Sequence, residues 1–386
     1  MESWSTHQLE KEARKLHGST ISQDLVLYAK ALQAKGVAVI FDLNHLSTIT
    51  GVGLRLLQST VNRTRESTNY RMYAVSKRSG GRRFIHAVSS ELSKVQSFIN
   101  REILQRCRPH PRSFAFHASG GIRKCAEQHR EAKWIFQFDL SDFFYYVTED
   151  DCFRIFAELG YTRLLSFELA RLCTTTHLPR AQKARLYEIR QLYLQSTHSQ
   201  QNLKSRRYPR RADILGVLPQ GAPTSPMLSN LAARRLDASL DQFAERHSLV
   251  YTRYADDITI SASNKPESIT LGGIYSSVIS HVRAAGFREN EKKTRIARPG
   301  SKKVVLGLLV DGPKPRLTKE TYHRIDRHLH ATLKYGLSET AKHEGFESAF
   351  GFYNHLKGLV DYVKDVDTER WSEFTSRFRK VEAPWR

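Results

Sequence analysis

The run Leu249-Val250-Tyr251-Thr252-Arg253-Tyr254-Ala255-Asp256-Asp257-Ile258-Thr259-Ile260-Ser261 constrains this chain more than any other. Two alternating stretches of β-branched and aromatic residues flank a pair of adjacent carboxylates, and such stretches read as strands. The centre therefore reads as a hairpin turn holding Asp256 and Asp257 at its tip. Two neighbouring anions repel, so a fold that keeps them together ordinarily sets a cation between them. A hard divalent ion with oxygen ligands, Mg²⁺ or Mn²⁺, suits that place. A solvated Ala-Asp-Asp turn on a surface hairpin would carry the same residues, so the rest of the chain has to decide.

Charge narrows the choice. The 386 residues include 61 Lys+Arg against 39 Asp+Glu, a net charge of +22. With 40% hydrophobic residues the chain has the means to fold, and such an excess on a folded chain points to a polyanionic partner, most often nucleic acid. A membrane partner is disfavoured: no apolar run approaches the length of a transmembrane helix, and no basic amphipathic helix stands out. Met1-Glu2-Ser3-Trp4 does not open a signal peptide. Cys107, Cys125, Cys152 and Cys173 lack metal-ligand spacing and read as buried thiols in a reducing cytoplasm. A zinc-binding His-Glu-x-x-His and a phosphate-cradling Gly-x-x-x-x-Gly-Lys loop are both missing.

Along the chain, residues 1–68 read as helical, with helices expected over 24–35, 42–49 and 54–61, the last two hinged at Gly51-Val52-Gly53. Residues 70–85 change to a hairpin whose tip, Lys77-Arg78-Ser79-Gly80-Gly81, is cationic. A helix over 91–106 follows, with Leu92, Val95, Phe98, Ile99 and Ile103 on one face. Trp134 to Phe138 reads as a strand delivering Asp139, a second candidate metal ligand, ahead of Phe143-Phe144-Tyr145. Residues 180–211 form a polar insertion. It holds an amphipathic helix with Leu186, Ile189 and Tyr193, then the basic run Lys204 to Arg211, suited to phosphate contact. Leu218 to Pro226 is a rigid turn in which Gly221 and Ala222 would allow close approach of a flat ligand, before a helix over 227–240. Val304 to Val310 reads as one strand. From Thr318 the chain reads as helical, with Tyr322, Ile325, Leu329 and Leu333 on one face.

Asp139, Asp256 and Asp257 thus end two separate strand elements. If those strands are neighbours, the carboxylates converge on a pair of metal ions, as two-metal phosphoryl transfer requires. The order Asp139-x-x-Asp-Phe-Phe, Gln220-Gly-Ala-Pro-Thr-Ser-Pro, Tyr254-Ala-Asp-Asp, then Gly286-Phe with Asn290-x-x-Lys293-Thr resembles the palm motifs of a reverse transcriptase. The likeness spans roughly residues 70 to 380. More narrowly it is to the bacterial retron-type enzymes, in the segment Lys77 to Ile85 and in the C-terminal His355-Leu-Lys-Gly-Leu-Val-Asp-Tyr-Val. Two retron signatures are altered: Asn-Ala-x-x-His stands here as Cys125-Ala126-Glu127-Gln128-His129, and Val-Thr-Gly as Val305-Leu306-Gly307.

The resemblance implies an α/β (α+β) right-hand polymerase: a helical extension over 1–68, fingers and palm over 69–312 with the insertion at 180–211, and a helical thumb over 313–386. It assigns metal binding to Asp139, Asp256, Asp257 and the Leu140 carbonyl, with two Mg²⁺ or Mn²⁺ ions. Phe144 would exclude a 2′-hydroxyl. Gln220 and Gly221 would face the incoming nucleotide, Lys77 and Arg83 would hold its triphosphate, and Lys293 would protonate pyrophosphate. Tyr254 would lie at the primer terminus and Val305-Leu306-Gly307 against the primer. The insertion departs from the retron pattern, and it is the charge of its basic run that puts Arg206, Arg207, Arg210 and Arg211 on template phosphates. The implied activity is an RNA-directed DNA polymerase making cDNA from dNTPs on a dedicated non-coding RNA, holding the RNA–DNA hybrid, in bacterial antiviral defence. An effector protein or a second reverse transcriptase would be its partner. Two other readings stand beside it: a non-retron defence-associated reverse transcriptase with a different product, and an inert nucleic-acid-binding module.

Overall fold

The computed structural model describes residues 5–76, 82–180, 182–184, 187 and 215–384. They gather into two units interleaved along the chain. The first joins Met1–His117, Leu140–Ser239 and Ile279–Glu289, and the second Ala118–Asp139, Leu240–Val278 and Asn290–Arg386.

The first unit opens with the helix Thr6–Ala34, where Ser5 Oγ accepts the Gln8 N–H at 3.2 Å. It starts well before the expected Asp24, bending at Gly18 (φ 80°). The early turns bury little beyond Ala13 and Ser22, so apolar spacing does not announce them. Helices Leu43–Thr50 and Leu54–Val61 follow as expected, separated by left-handed Gly51. Strands β1 (Tyr70–Ser76) and β2 (Arg82–Val88) pair antiparallel, Ser76 opposite Arg82; the turn 77–81 lies outside the described residues. Helix Ser90–Glu102 stops short of the expected Arg106 at Ile103, and a 3₁₀ turn continues over Leu104–Arg106. Ile103 and Leu104 are both fully buried, and consecutive residues of a straight helix point 100° apart, so the break turns both inward. The helix expected over 227–240 is two, Ser225–Ala232 and Arg234–Arg246, joined through Ala233, whose N–H still reaches the Ser229 carbonyl.

The second unit holds an antiparallel sheet of β3 (Trp134–Asp139), β4 (Val250–Tyr254), β5 (Asp257–Ala262) and β6 (Arg295–Ala297), in the order β4-β5-β3-β6. Side chains alternate across it. Phe136, Phe138, Ile258 and Ile260 take one face, where the ring of Tyr275 from the helix Leu271–Ala284 lies 5.9 Å from Phe138. Asp139, Asp257 and Tyr254 take the other, with Gln137, Thr252, Thr259 and Ser261.

Residues 304–310 are not one strand. β7 (Val304–Val305) turns back on β8 (Leu308–Leu309), which pairs with β9 (Arg316–Leu317). Leu306 (φ 49°) and Gly307 (φ 84°) are both left-handed, the requirement of a tight two-residue hairpin. A continuous apolar run hides such a turn, and only Gly307 marks it. The C-terminal helices Lys319–Tyr335, Leu337–His343, Ala349–Lys364 and Thr368–Phe378 share a core of Ile325, Leu329, Phe352, Leu356, Val363 and Phe374 with Ile135 of β3. Leu333, expected on the buried face, is 43% exposed, and Thr332 is buried instead. Eight residues on, a helix has turned about 80° past its starting direction, whereas seven residues bring it back within about 20°. Among the described residues no helix is long and apolar enough to cross a membrane.

Candidate active site

The site grows from the β4–β5 hairpin. Tyr254 pairs with Asp257, so Ala255 and Asp256 alone make the turn, and Asp257 is the first residue of β5 rather than part of the tip. Ala255 adopts φ 57°, the left-handed conformation that such a turn demands of its first residue. Arg253, fully buried, donates from Nη1 to the Ala255 carbonyl at 2.9 Å and so holds that conformation from below. An arginine within a strand pattern reads as solvent-facing, and nothing in the sequence marks this one as buried.

β3 lies beside β5 with Asp139 directly opposite Asp257. The Asp139 carboxylate accepts from Lys293 Nζ at 2.6 Å on one oxygen and from Asn290 Nδ2 at 3.1 Å on the other, and its carbonyl accepts the Asn290 N–H at 2.7 Å. Asn290 therefore clamps Asp139 twice. In the sequence Asn290 stands in the Asn290-x-x-Lys293 motif with no task of its own, and its spacing to Lys293 is the available signal. Asp257 is exposed at the start of its strand, yet its carboxyl is pushed up to about 6, first by the desolvation that the surrounding protein imposes and then by repulsion from Asp256 and Asp139, with Lys293 pulling the other way. Neighbouring carboxylates are hard-oxygen donors of the kind divalent ions take. Among the described residues no three His, Cys, Asp or Glu side chains stand gathered about a single point. Asp139 spends its oxygens on Lys293 and Asn290 instead, and an ion would draw on that carboxylate by replacing Lys293.

The remaining expected residues divide between the units. In the second, Tyr254 is partly buried. Val305 is fully buried within β7, and Leu306 and Gly307 form the turn, the Leu306 carbonyl accepting from Tyr362 Oη at 3.2 Å. The Val305 side chain thus packs inside the protein.

In the first unit, Leu140 is buried and bridges Glu289. Phe144 follows in the short helix Phe143–Tyr146. Phe143 is buried with its ring 5.4 Å from Phe287, whereas Phe144 is partly exposed, 6.3 Å from Phe116. The Gln220 carbonyl accepts the His86 N–H at 2.7 Å, tying its loop to β2. Gly221 (φ 116°) lies so close that an added Cβ would sit 2.8 Å from the His86 carbonyl oxygen. The close approach that demands glycine is thus to the protein's own strand, and Ala222, expected beside it on a ligand, is buried. Arg83 is exposed on β2, opposite Val75. Lys77, Arg206, Arg207, Arg210 and Arg211, with Leu186, Ile189 and Tyr193, lie outside the described residues.

Acids brought together at the ends of neighbouring strands, beside a lysine, are the equipment of phosphoryl transfer. Residues 75–310 match the family model described as reverse transcriptase (RNA-dependent DNA polymerase), and the chain belongs to that family. Its relatives include the Retron Ec86 reverse transcriptase of Escherichia coli, 28% identical over 356 residues, 91% of this chain and 92% of that protein. The Retron Mx65 reverse transcriptase of Myxococcus xanthus is 29% identical over 387 residues, 96% of this chain and 80% of that one. Telomerase from Candida albicans, solved with a TWJ fragment of telomeric RNA, aligns at 13% identity and TM-score 0.37 over 83% of this chain and 61% of that one, too slight a likeness to carry an argument. The chain is therefore an RNA-directed DNA polymerase of the retron type with an α/β polymerase fold, and enzymes of this family work on RNA templates with divalent metal ions.

Proposed function

We propose that this chain copies a dedicated non-coding RNA into cDNA by two-metal nucleotidyl transfer, and that it does so as a retron in antiviral defence. The observation that carries the chemistry is the register of β3 and β5, which sets Asp139 opposite Asp257 one residue from Asp256. Asp139, Asp256 and Asp257 would hold two Mg²⁺ ions, with Mn²⁺ as a substitute and the Leu140 carbonyl as a further ligand. The ions would supply an activated primer hydroxyl and a stabilised leaving oxygen.

Within this reading the chain's own residues have distinct tasks. Asn290 holds Asp139 in orientation. Lys293, released from Asp139, is a mobile cation for the departing pyrophosphate. Phe144 presents a ring where a 2′-hydroxyl would sit, Gln220 and Gly221 line the base, and Lys77 and Arg83 take the triphosphate. Tyr254 meets the primer end and the Leu306-Gly307 turn lies against the primer strand. Arg206, Arg207, Arg210 and Arg211 take template phosphates. A helical extension, fingers with palm, and thumb would occupy 1–68, 69–312 and 313–386. The four free thiols suit a reducing cytoplasm. An effector protein or a second reverse transcriptase would complete the defence system.

Labelled dNTP incorporation on a primed RNA, with Asp256→Asn alongside, tests the chemistry: no incorporation by the native chain, or equal incorporation by both, would reject it. Sequencing the nucleic acid that copurifies tests the template, since a mixture of cellular RNAs would reject a dedicated one.

A further inference from the structure

The altered signature Cys125 to His129 is not absorbed by the roles above, and its Cys125, Ala126 and His129 are buried. His129 is 1% exposed and Cys125 is 1% exposed. His129 Nδ1 lies 2.7 Å from Ser261 Oγ and Nε2 lies 2.7 Å from Thr252 Oγ1. Cys125 Sγ donates to the same Thr252 Oγ1 at 3.3 Å. One imidazole therefore spans both strands of the acid hairpin, Thr252 on β4 and Ser261 on β5.

The register says which part of the hairpin is held. Val250 pairs with Ser261, Thr252 with Thr259, and Tyr254 with Asp257. Side chains of a strand alternate, so Thr252 and Ser261 share their sheet face with Tyr254 and Asp257. Thr252 stands two residues, about 7 Å, from Tyr254 in the row next to the acid. The acid's field reaches the brace: Asp257 is among the causes, after burial, that push the Cys125 thiol up to about 11. A buried hydroxyl left without a partner is costly, so the His129 ring and the two hydroxyls hold one another in place.

We propose that His129 is a positioning residue for the reaction: through Thr252 and Ser261 it fixes the β4–β5 hairpin, and with it Asp256 and Asp257, and it makes no contact with nucleic acid. Cys125 serves the same end, its thiol donating where the retron signature carries an asparagine. This rests on the two-metal reading of the acids.

The test uses the full chain with His129→Gln, Thr252→Val and Thr252→Ser. Thr252→Val keeps shape and removes the hydroxyl; Thr252→Ser keeps the hydroxyl. Displacing reacting groups by about 1 Å costs on the order of a hundredfold in rate. His129→Gln and Thr252→Val should therefore lose tenfold or more in kcat and need several-fold more Mg²⁺ for half-maximal rate, while RNA affinity stays at the native value. Thr252→Ser should restore both readouts. Native kcat and Mg²⁺ requirement in the first two variants, with only a lower melting temperature, would overturn the proposal, and so would a loss of RNA affinity that accounts for the rate. Should Thr252→Val not fold, Ser261→Ala removes a single oxygen and is expected to move the same two readouts less; unchanged readouts there overturn the proposal equally. Asp256→Asn run in parallel separates the two readings. Activity persisting in it sinks the metal assignment, whereas its loss beside a native-like Thr252→Val sinks the brace alone.

Discussion

Asp139 and Asp257 face each other across neighbouring antiparallel strands, and Lys293 and Asn290 hold the Asp139 carboxylate from the side. The acids arrive from distant parts of the chain, and backbone pairing brings them together. The energetics of the site follow from that arrangement, because each added carboxylate raises the cost of ionising the next.

The first consequence concerns Asp256, which sits at the turn itself. Asp256→Asn should lower incorporation by roughly 10²–10³-fold, the scale of losing one preorganised electrostatic group. RNA affinity should be retained, because a carboxylate does not attract phosphate and its loss removes no cation. Primer extension and a binding titration on the same preparation check both halves.

The raised Asp257 carboxyl makes a prediction about stability in chelator-treated protein. The folded value of about 6 exceeds the ordinary aspartate value of 3.8, so between these the native state binds more protons than the unfolded chain. Stability from this group is therefore full below about pH 4 and falls as pH rises towards and through 6. The melting temperature at pH 7 should rise on Asp257→Asn, and should rise in the native chain when a divalent ion is restored. At pH 4 neither change should have much effect.

Sugar selection separates two adjacent rings. Phe144→Ala should raise rNTP use roughly 10- to 100-fold relative to dNTPs, with little loss of stability, since the ring is partly exposed. Phe143→Ala removes a buried ring against Phe287 and should cost about 3–5 kcal/mol of stability instead. Competition between rNTP and dNTP, with thermal melts, distinguishes them.

Gly221→Ala places a methyl against the His86 carbonyl at a φ that disfavours any side chain. The strain is on the order of 1–3 kcal/mol. It should fall on the junction of the Gln220 loop with β2, raising KM for dNTPs several-fold while RNA affinity is unchanged. Steady-state kinetics at saturating template measure it.

The basic run of the insertion is tested by salt. Neutralising Arg206, Arg207, Arg210 and Arg211 should flatten the dependence of log affinity on log salt by up to about three units, as counterions are no longer released. Nucleotide choice should not change, because phosphates carry no base identity. An unchanged slope assigns the run to something other than RNA.

Much of the site was legible in the sequence because its parts are local. Alternation announced β3, β4 and β5, and left-handed Gly51 and Gly286 fell at helix ends where glycine is expected. The helix end at Ile103, the exposure of Leu333 and the turn within 304–310 escape the sequence for one reason: apolar pattern gives period, and period alone does not locate a break, a turn within a hydrophobic run, or the rotation of a helix about its axis.

The sequence by itself determined the chemistry available here, a pair of carboxylates on a hairpin, a third at a strand end, and a lysine and aromatic ring in fixed order around them. Tertiary structure decided which of these meet. The placing of Asp139 against Asp257, the clamp of Asn290 and the brace of His129 join residues far apart in the chain, and Arg253 is buried beneath the turn. Such contacts depend on strand register and on buried polar groups finding partners, and both are satisfied only once the whole sheet has formed.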